Sequence, residues 1–314
     1  MKKILSLIAL LTASPAFAAD KTIVRGVDHF ELVYEITLPK LAQPGTLWIP
    51  LARTDAFQQV QVLSITSPVP WHKTRDATHQ NEILVLKPTP ADGGKRIAVR
   101  YQVTRKEKQA HTEAGDPKQH LKAERLVPLN FRFNAIAQKV TNGAPDDRAR
   151  GKALYEHVLT HMRYDKTGKG WGRGDALYAC DAHTGNCTDF HAYFIALCRA
   201  VKIPARFAIG FTVPADRNAG AIAGYHCWAE FFANGKWVPV DISEADEHPE
   251  LAGYYFGHHP ANRLELSRGR DITVTPTPMS GPFNFFFGPH LEIAGKEVSV
   301  KATFKFKRLP AKER

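Results

Sequence analysis

The 314-residue sequence predicts an α+β fold, in which a helix bearing a cysteine at its start packs on an antiparallel sheet behind an N-terminal β-sandwich. Three observations predict it. Residues 19–110 fall into short β-rich runs divided by breaks such as Gln43-Pro44-Gly45 and Ala91-Asp92-Gly93-Gly94. From Cys187 onward, Phe190, Phe194, Leu197, Cys198 and Val201 recur at helical spacing. Residues 225–241 form two alternating halves around Asn234-Gly235, the strongest short-range signal of a hairpin.

Taken in order, Lys2-Lys3, the apolar run Ile4 to Leu11 and Ala16-Phe17-Ala18 read as a signal peptide over residues 1–18. Cleavage near Ala18 makes the mature protein periplasmic or secreted. No stretch approaches the roughly 20 apolar residues that a membrane helix needs, so no membrane span is expected. The N-terminal β-sandwich (19–110) has strands over 30–36, 46–50, 60–65, 82–86 and 96–103, with no reactive cluster. A polar linker (111–143) ends in a short helix near 134–139.

A second domain, the core, is expected over 144–260. Pro145-Asp146-Asp147 opens a helix with acids in its first turn, and Leu154, Tyr155, Val158, Leu159 and Met162 supply its buried stripe. A glycine-rich loop, 167–174, carries Trp171 and delivers the chain toward Cys187. After the Cys187 helix, Ile203-Pro204 ends the pattern, and Phe207, Ile209, Phe211 and Val213 alternate as a half-buried strand. Residues 243–262 read as a loop, with His258-His259 as a solvated pair. Residues 261–314 read as a C-terminal β extension packed on the core.

The formal charge of +11 suits mild steering toward an anionic target. With no arginine-rich helix and no nucleic-acid motif, a nucleic-acid partner is not expected. Nothing in the sequence fixes an oligomeric state.

Gly185-Asn186 cannot comfortably continue a helix backward, so Cys187 stands in or beside the first turn. Unpaired N–H groups and the positive dipole end there favour a thiolate. A two-residue turn at Asn234-Gly235 pairs Ala233 with Lys236, Trp228 with Asp241 and His226 with Ser243. His226 and Asp241 then share a face as diagonal neighbours, Cβ atoms roughly 7 Å apart. The opposite face, with Cys227, Ala229, Phe231, Val238, Val240 and Ile242, is the core face. A thiol becomes a nucleophile on losing its proton, an imidazole takes that proton, and a carboxylate behind the imidazole fixes its tautomer. Cys187, His226 and Asp241 are therefore the candidate catalytic residues.

The four cysteines are Cys180, Cys187, Cys198 and Cys227. Cys187 and Cys198 stand about 16 Å apart along one helix and cannot pair. The competing use of this stretch is a structural zinc site, since Cys180, His183, Cys187 and His191 offer two thiolates and two imidazoles, though in no common finger spacing. A non-catalytic protein that binds peptides in the same groove is the third alternative.

Gly185-Asn186-Cys187, the helix from Phe190 to Arg199, Ile203-Pro204-Ala205-Arg206, His226-x-Trp228-x-Glu230 and Trp237-Val238-Pro239-Val240-Asp241 resemble, in order and spacing, the core of the transglutaminase-like superfamily. The flanking β module, with Trp48-Ile49-Pro50-Leu51, resembles that of bacterial exported proteins carrying this core. The resemblance departs at Lys202-Ile203, where a glycine is usual, and at Cys227, where a small residue is usual. It implies a papain-like arrangement in which Cys187 attacks an amide carbonyl, His226 is base and then acid, and Asp241 orients it. The acyl-enzyme is resolved by water or an amine, without cofactor or metal. The Cys187 N–H is the implied oxyanion donor, with Trp171 or a polar residue upstream as its assistant. The implied substrate is a peptide or protein, cell-wall stem peptide among the candidates, with hydrolysis favoured over cross-linking.

Overall fold

A computed structural model describes residues 22–310; the expected signal peptide lies outside them. The N-terminal part contributes β1 (Val27–Thr37), β2 (Thr46–Leu51), β3 (Gln58–Thr66), β4 (Trp71–Arg75), β5 (Glu82–Leu86) and β6 (Arg96–Lys106). Helices α1 (Phe131–Val140) and α2 (Asp147–His161) follow, then β7 (Arg163–Tyr164), α3 (Ala176–Ala182), β8 (Thr184–Gly185) and α4 (Cys187–Ala200). Next come β9 (Ala205–Thr212), β10 (Ala219–Ile222), β11 (His226–Ala233), β12 (Lys236–Val240), α5 (Ile242–Glu247), α6 (Ala252–Tyr255) and β13 (Arg263–Arg268). The last strands are β14 (His290–Ile293), β15 (Lys296–Val298) and β16 (Lys301–Arg308).

Period-two patterning builds the sandwich. Phe30, Leu32, Tyr34 and Ile36 of β1 and Ile97, Val99, Tyr101 and Val103 of β6 all point into one core, and the two strands pair antiparallel along their whole length. One sheet has the order β10-β16-β1-β6-β3 and the other β15-β14-β2-β5-β4. The tail was expected as an extension on the core, and β13 behaves so, as do Arg270, Phe285 and Phe287, which meet the core beyond it. β16 lies between β10 and β1, and β14 pairs with β2, so the chain's end completes the sandwich. Strand β4 lacks an apolar alternation to announce it. Its Trp-His-Lys-Thr-Arg sequence forms an exposed, cationic edge, held by backbone pairing with β5.

The second unit is an antiparallel sheet, β12-β11-β9-β13, with α4 packed against β9 and β11. An amphipathic α4 with one buried stripe was expected. In the structure every residue from Cys187 to Arg199 is buried, because α1, α2 and α3 cover the side away from the sheet. Phe190, Phe194, Ile195 and Leu197 are wholly buried there, each contributing about 1.5–3 kcal/mol of transfer free energy. The polar residues buried with them have partners; Arg199 donates to Lys122 O and to Glu124 Oε1, both at 2.9 Å. Those contacts also pin residues 111–143, expected as a linker, against the core.

Three further expectations are corrected, and one helix was not expected. Strand β9 is buried on both faces: Ala205, Phe207 and Ile209 join the core that α4 fills, and on the other face Arg206 pairs with Glu230 and Glu113. Residues 243–262 are not a plain loop but carry α5 and α6. A helix, α3, forms beyond the glycine-rich loop, capped by Asp175, whose carboxylate accepts from Leu177 and Tyr178 N–H groups. His259 is not solvated: it is fully buried, its Nε2 lying 3.1 Å from the Val240 carbonyl.

Candidate active site

Cys187 is the first residue of α4, and two side chains fix that start. Asn186 caps the helix, its Oδ1 accepting from Thr188 N–H at 2.9 Å and Thr188 Oγ1 at 2.6 Å. Asp189 accepts from Gly172 N–H at 2.6 Å, Gly174 N–H at 2.9 Å and Asn186 N–H at 3.1 Å, clipping the Trp171 loop to the helix. Gly185 is required here. A Cβ built on it would come 2.6 Å from the Asp189 Cβ, closer than real Cβ atoms approach.

His226 opens β11. The Asn234-Gly235 turn has φ of 50° and 78°, the paired positive values of a type I′ hairpin, and Ala233 pairs with Lys236 as expected. The expected register stops early, however. The ladder ends at Ala229 and Val240, so the pairing of His226 with Ser243 does not form, because the chain leaves β12 into α5. Asp241 is the N-cap of that helix, its Oδ1 accepting from Glu244 N–H and Ser243 Oγ, both at 3.1 Å. Its other oxygen, Oδ2, accepts from His226 Nε2 at 2.7 Å. The remaining ring nitrogen, Nδ1, is then the one left to hydrogen-bond the Cys187 sulfur. The three sequence-predicted residues are thus brought together, all buried.

The electrostatics follow from burial working against pairing. Burial pushes the Cys187 thiol up, but hydrogen bonds from Cys227 and His226 and the charge of His226 outweigh it, placing the thiol at about 6. Burial pushes His226 down, but the Asp241 carboxylate, directly and through its hydrogen bond, together with the contact to Cys187, raises it to about 10. Burial likewise opposes the Asp241 anion, yet the His226 and Arg263 cations hold its carboxyl well below the usual range. Pairing thus favours a thiolate beside an imidazolium.

Three neighbours have places in the site that sequence reasoning did not assign to them. Arg263 on β13, fully buried, places Nη2 2.6 Å from Asp241 Oδ2 and lays its guanidinium 4.9 Å over the Trp228 ring. In Arg-Leu-Glu-Leu-Ser-Arg an arginine reads as a solvated strand face, so no local signal marked it. The Glu three residues after Asp241 was a legible cap signature, and Glu244 Oε1 lies 3.5 Å from His226 Nε2. His191, one turn beyond Cys187, accepts from Ile242 N–H at Nε2, and burial lowers it to about 4, so it is neutral.

The face of β11 that carries His226 also carries a polar seam instead of solvent. Lys108, 1 % exposed, lies 3.3 Å from Glu230 and 3.8 Å from Glu265, while Arg206 Nε donates to Glu230 at 2.7 Å. The Cys180, His183, Cys187 and His191 set of the zinc alternative is not gathered. Among the described residues, the one trio of metal-ligand type is His226, Asp241 and Glu244, and Arg263 already occupies its Asp241. A cavity of about 870 Å³, lined by Phe211, Ile222, Tyr225, Phe287, Val300 and Phe304, does not reach Cys187. Tyr225 links the two, since its hydroxyl accepts from Asn186 Nδ2 at 2.7 Å.

Residues 134–242 match the core profile of the transglutaminase-like superfamily, a span that includes Cys187, His226 and Asp241. An uncharacterized protein of Haemophilus influenzae is 24% identical over 365 aligned positions, covering 98% of each chain. The crystal structure of a protein from Cytophaga hutchinsonii, described as a candidate cysteine protease, superposes with a TM-score of 0.61 at 15% identity, covering 92% of this chain and 93% of that one. That likeness shows the fold: α+β, with a helix-on-sheet core of this type and a β-rich N-terminal part. The periplasmic domain of TgpA from Pseudomonas aeruginosa aligns over 74% of this chain and 91% of its own at 20% identity, but with a TM-score of 0.38 it carries no argument. Over residues 134–242 the chain thus carries a domain that matches the transglutaminase-like superfamily.

Proposed function

We propose that the protein is an exported thiol enzyme that cleaves amide bonds in peptides or proteins, or transfers their acyl group, through a Cys187 thioester. The observation that carries this reading is the buried hydrogen-bonded series from the Cys187 sulfur through His226 to Asp241, ending at 2.7 Å. In the proposed reaction the Cys187 thiolate attacks the carbonyl carbon. The developing oxyanion is met by the Cys187 N–H, which precedes the first intrahelical bond of α4 and points out of its positive end. His226 Nδ1–H gives its proton to the departing amine, leaving a thioester and a neutral imidazole. Water then attacks the thioester with His226 as base, or an amine does so, and the thiolate returns. Asp241 keeps the imidazole oriented throughout, and Arg263 holds Asp241. Hydrolysis is preferred to cross-linking because no acceptor site for an amine is evident among the described residues. The export reading rests on the N-terminal leader pattern; no helix of the described residues is long and apolar enough to cross a membrane.

Intact-mass detection of an acyl adduct on Cys187, after exposure to candidate peptides with and without an added amine, tests the reading. Cys187→Ala is expected to abolish the adduct and lower any turnover on the order of ten-thousand-fold. Full turnover by that variant would overturn it.

A further inference from the structure

The proposed reaction leaves a second thiol unused. Cys227 follows His226 in β11 and is fully buried, while Cys187 is 1 % exposed, and both are free. The Cys187 sulfur accepts a hydrogen bond from the Cys227 N–H and makes another with the Cys227 side chain. Cys227 Sγ lies 3.5 Å from His191 Nδ1. Because His191 Nε2 accepts from Ile242 N–H at 3.2 Å, the His191 proton sits on Nδ1, directed at Cys227 and the Cys187 carbonyl. The Cys227 S–H is therefore free to point at the Cys187 sulfur. Neither other cysteine competes. Cys198 lies about 16 Å along the same helix, and Cys180 sits on α3 against Tyr193 and Arg132.

We propose that Cys227 is the resolving thiol of Cys187, so that oxidation of the site by a hydroperoxide ends in a Cys187–Cys227 disulfide that a dithiol reverses. The Cys187 thiolate attacks one peroxide oxygen, the O–O bond breaks, and the peroxide is reduced to hydroxide or alkoxide as sulfur becomes a sulfenic acid. Cys227 sulfur then attacks the sulfenic sulfur. An S–S bond forms, the S–OH bond breaks, and the hydroxyl leaves as water with the Cys227 proton. A dithiol returns two electrons and two protons, restoring both thiols. The effect is to hold an exported nucleophile in a recoverable state instead of letting it pass to sulfinic acid.

The inference rests on Cys187 being the reactive thiol of the proposed function. Its test reads sulfur chemistry and not turnover, so either can fail alone. The full-length protein and its Cys227→Ser and Cys227→Ala variants are treated with hydrogen peroxide, then mapped under non-reducing conditions, and relabelled with iodoacetamide after dithiothreitol. In the unmodified protein a linked peptide containing Cys187 and Cys227 is expected, with dithiothreitol restoring Cys187 labelling. In the variants Cys187 is expected to gain two or three oxygens, and its recoverable fraction to fall about tenfold. Sulfinic acid on Cys187 of the unmodified protein at the variants' rate, or a link to Cys180 or Cys198, would overturn the inference. Should the variants not fold, as judged by circular dichroism, the map of the unmodified protein decides.

Discussion

At the scale of single residues the site is a balance of desolvation against pairing, and pH exposes it. Iodoacetamide alkylation of Cys187 is expected to rise through about 6, where the thiol loses its proton, and turnover to fall as His226 loses its own near 10. A bell-shaped profile between those limits is the expected outcome; a single rise near the ordinary thiol value would mean that no ion pair forms. The sign for stability follows. The lowered Cys187 contributes stability that is present above its ordinary value and is lost as pH falls through about 6, whereas the raised His226 contributes stability that is present below its ordinary value and is lost as pH rises through about 10. Arg263 makes a second residue-scale prediction. Arg263→Met removes one cation from a wholly buried carboxylate, and chemical denaturation is expected to show a loss of about 3–5 kcal/mol. Because Arg263 touches Asp241 and not the thiol, its role is positioning, and the Cys187 alkylation profile should shift along with stability.

At the scale of elements, the reactive thiol is set by how α4 begins. Gly185 allows the Asp189 carboxylate to close on the backbone, and Asp189 in turn holds Gly172 and Gly174. Gly185→Ala forces a Cβ into that carboxylate, and overpacking of this kind costs about 1–3 kcal/mol. Hydrogen exchange of residues 167–174 is expected to speed up in that variant, and unchanged exchange would show that the loop does not depend on the clip. The hairpin carries the same lesson from the other side. Asn234-Gly235 fixes its turn and first pair, but Asp241 reaches His226 by capping α5 and not by continuing the ladder.

At the scale of the whole molecule, the first and last strands close on each other. β16 supplies the strand between β10 and β1, so deleting residues 299–314 is expected to strip β10 of its ladder and β1 of one of its two, and to expose Phe30, Leu32 and Tyr34. Loss of a single cooperative unfolding transition, with proteolysis appearing within residues 27–106, is the expected readout. The buried seam of Lys108, Arg206, Glu230 and Glu265 joins the segment after β6 to the catalytic sheet, and it borders the face that carries His226. The sandwich is thereby held against the candidate site by charge as well as by apolar packing.

What the sequence alone determined was whatever depends on local period and turn chemistry. The alternation of β1 and β6, the Asn234-Gly235 turn and the helix start at Cys187 were all legible, because each is written within a dozen or so residues, whereas the grouping of Cys187, His226 and Asp241 was an expectation drawn from residues far apart along the chain. Tertiary structure decided the rest. Arg263 behind Asp241, Cys227 against Cys187, the burial of α4 on every side and the return of β16 to the first sheet depend on partners distant along the chain. A buried arginine and a solvated one have the same local pattern, and only the fold supplies the carboxylate that tells them apart.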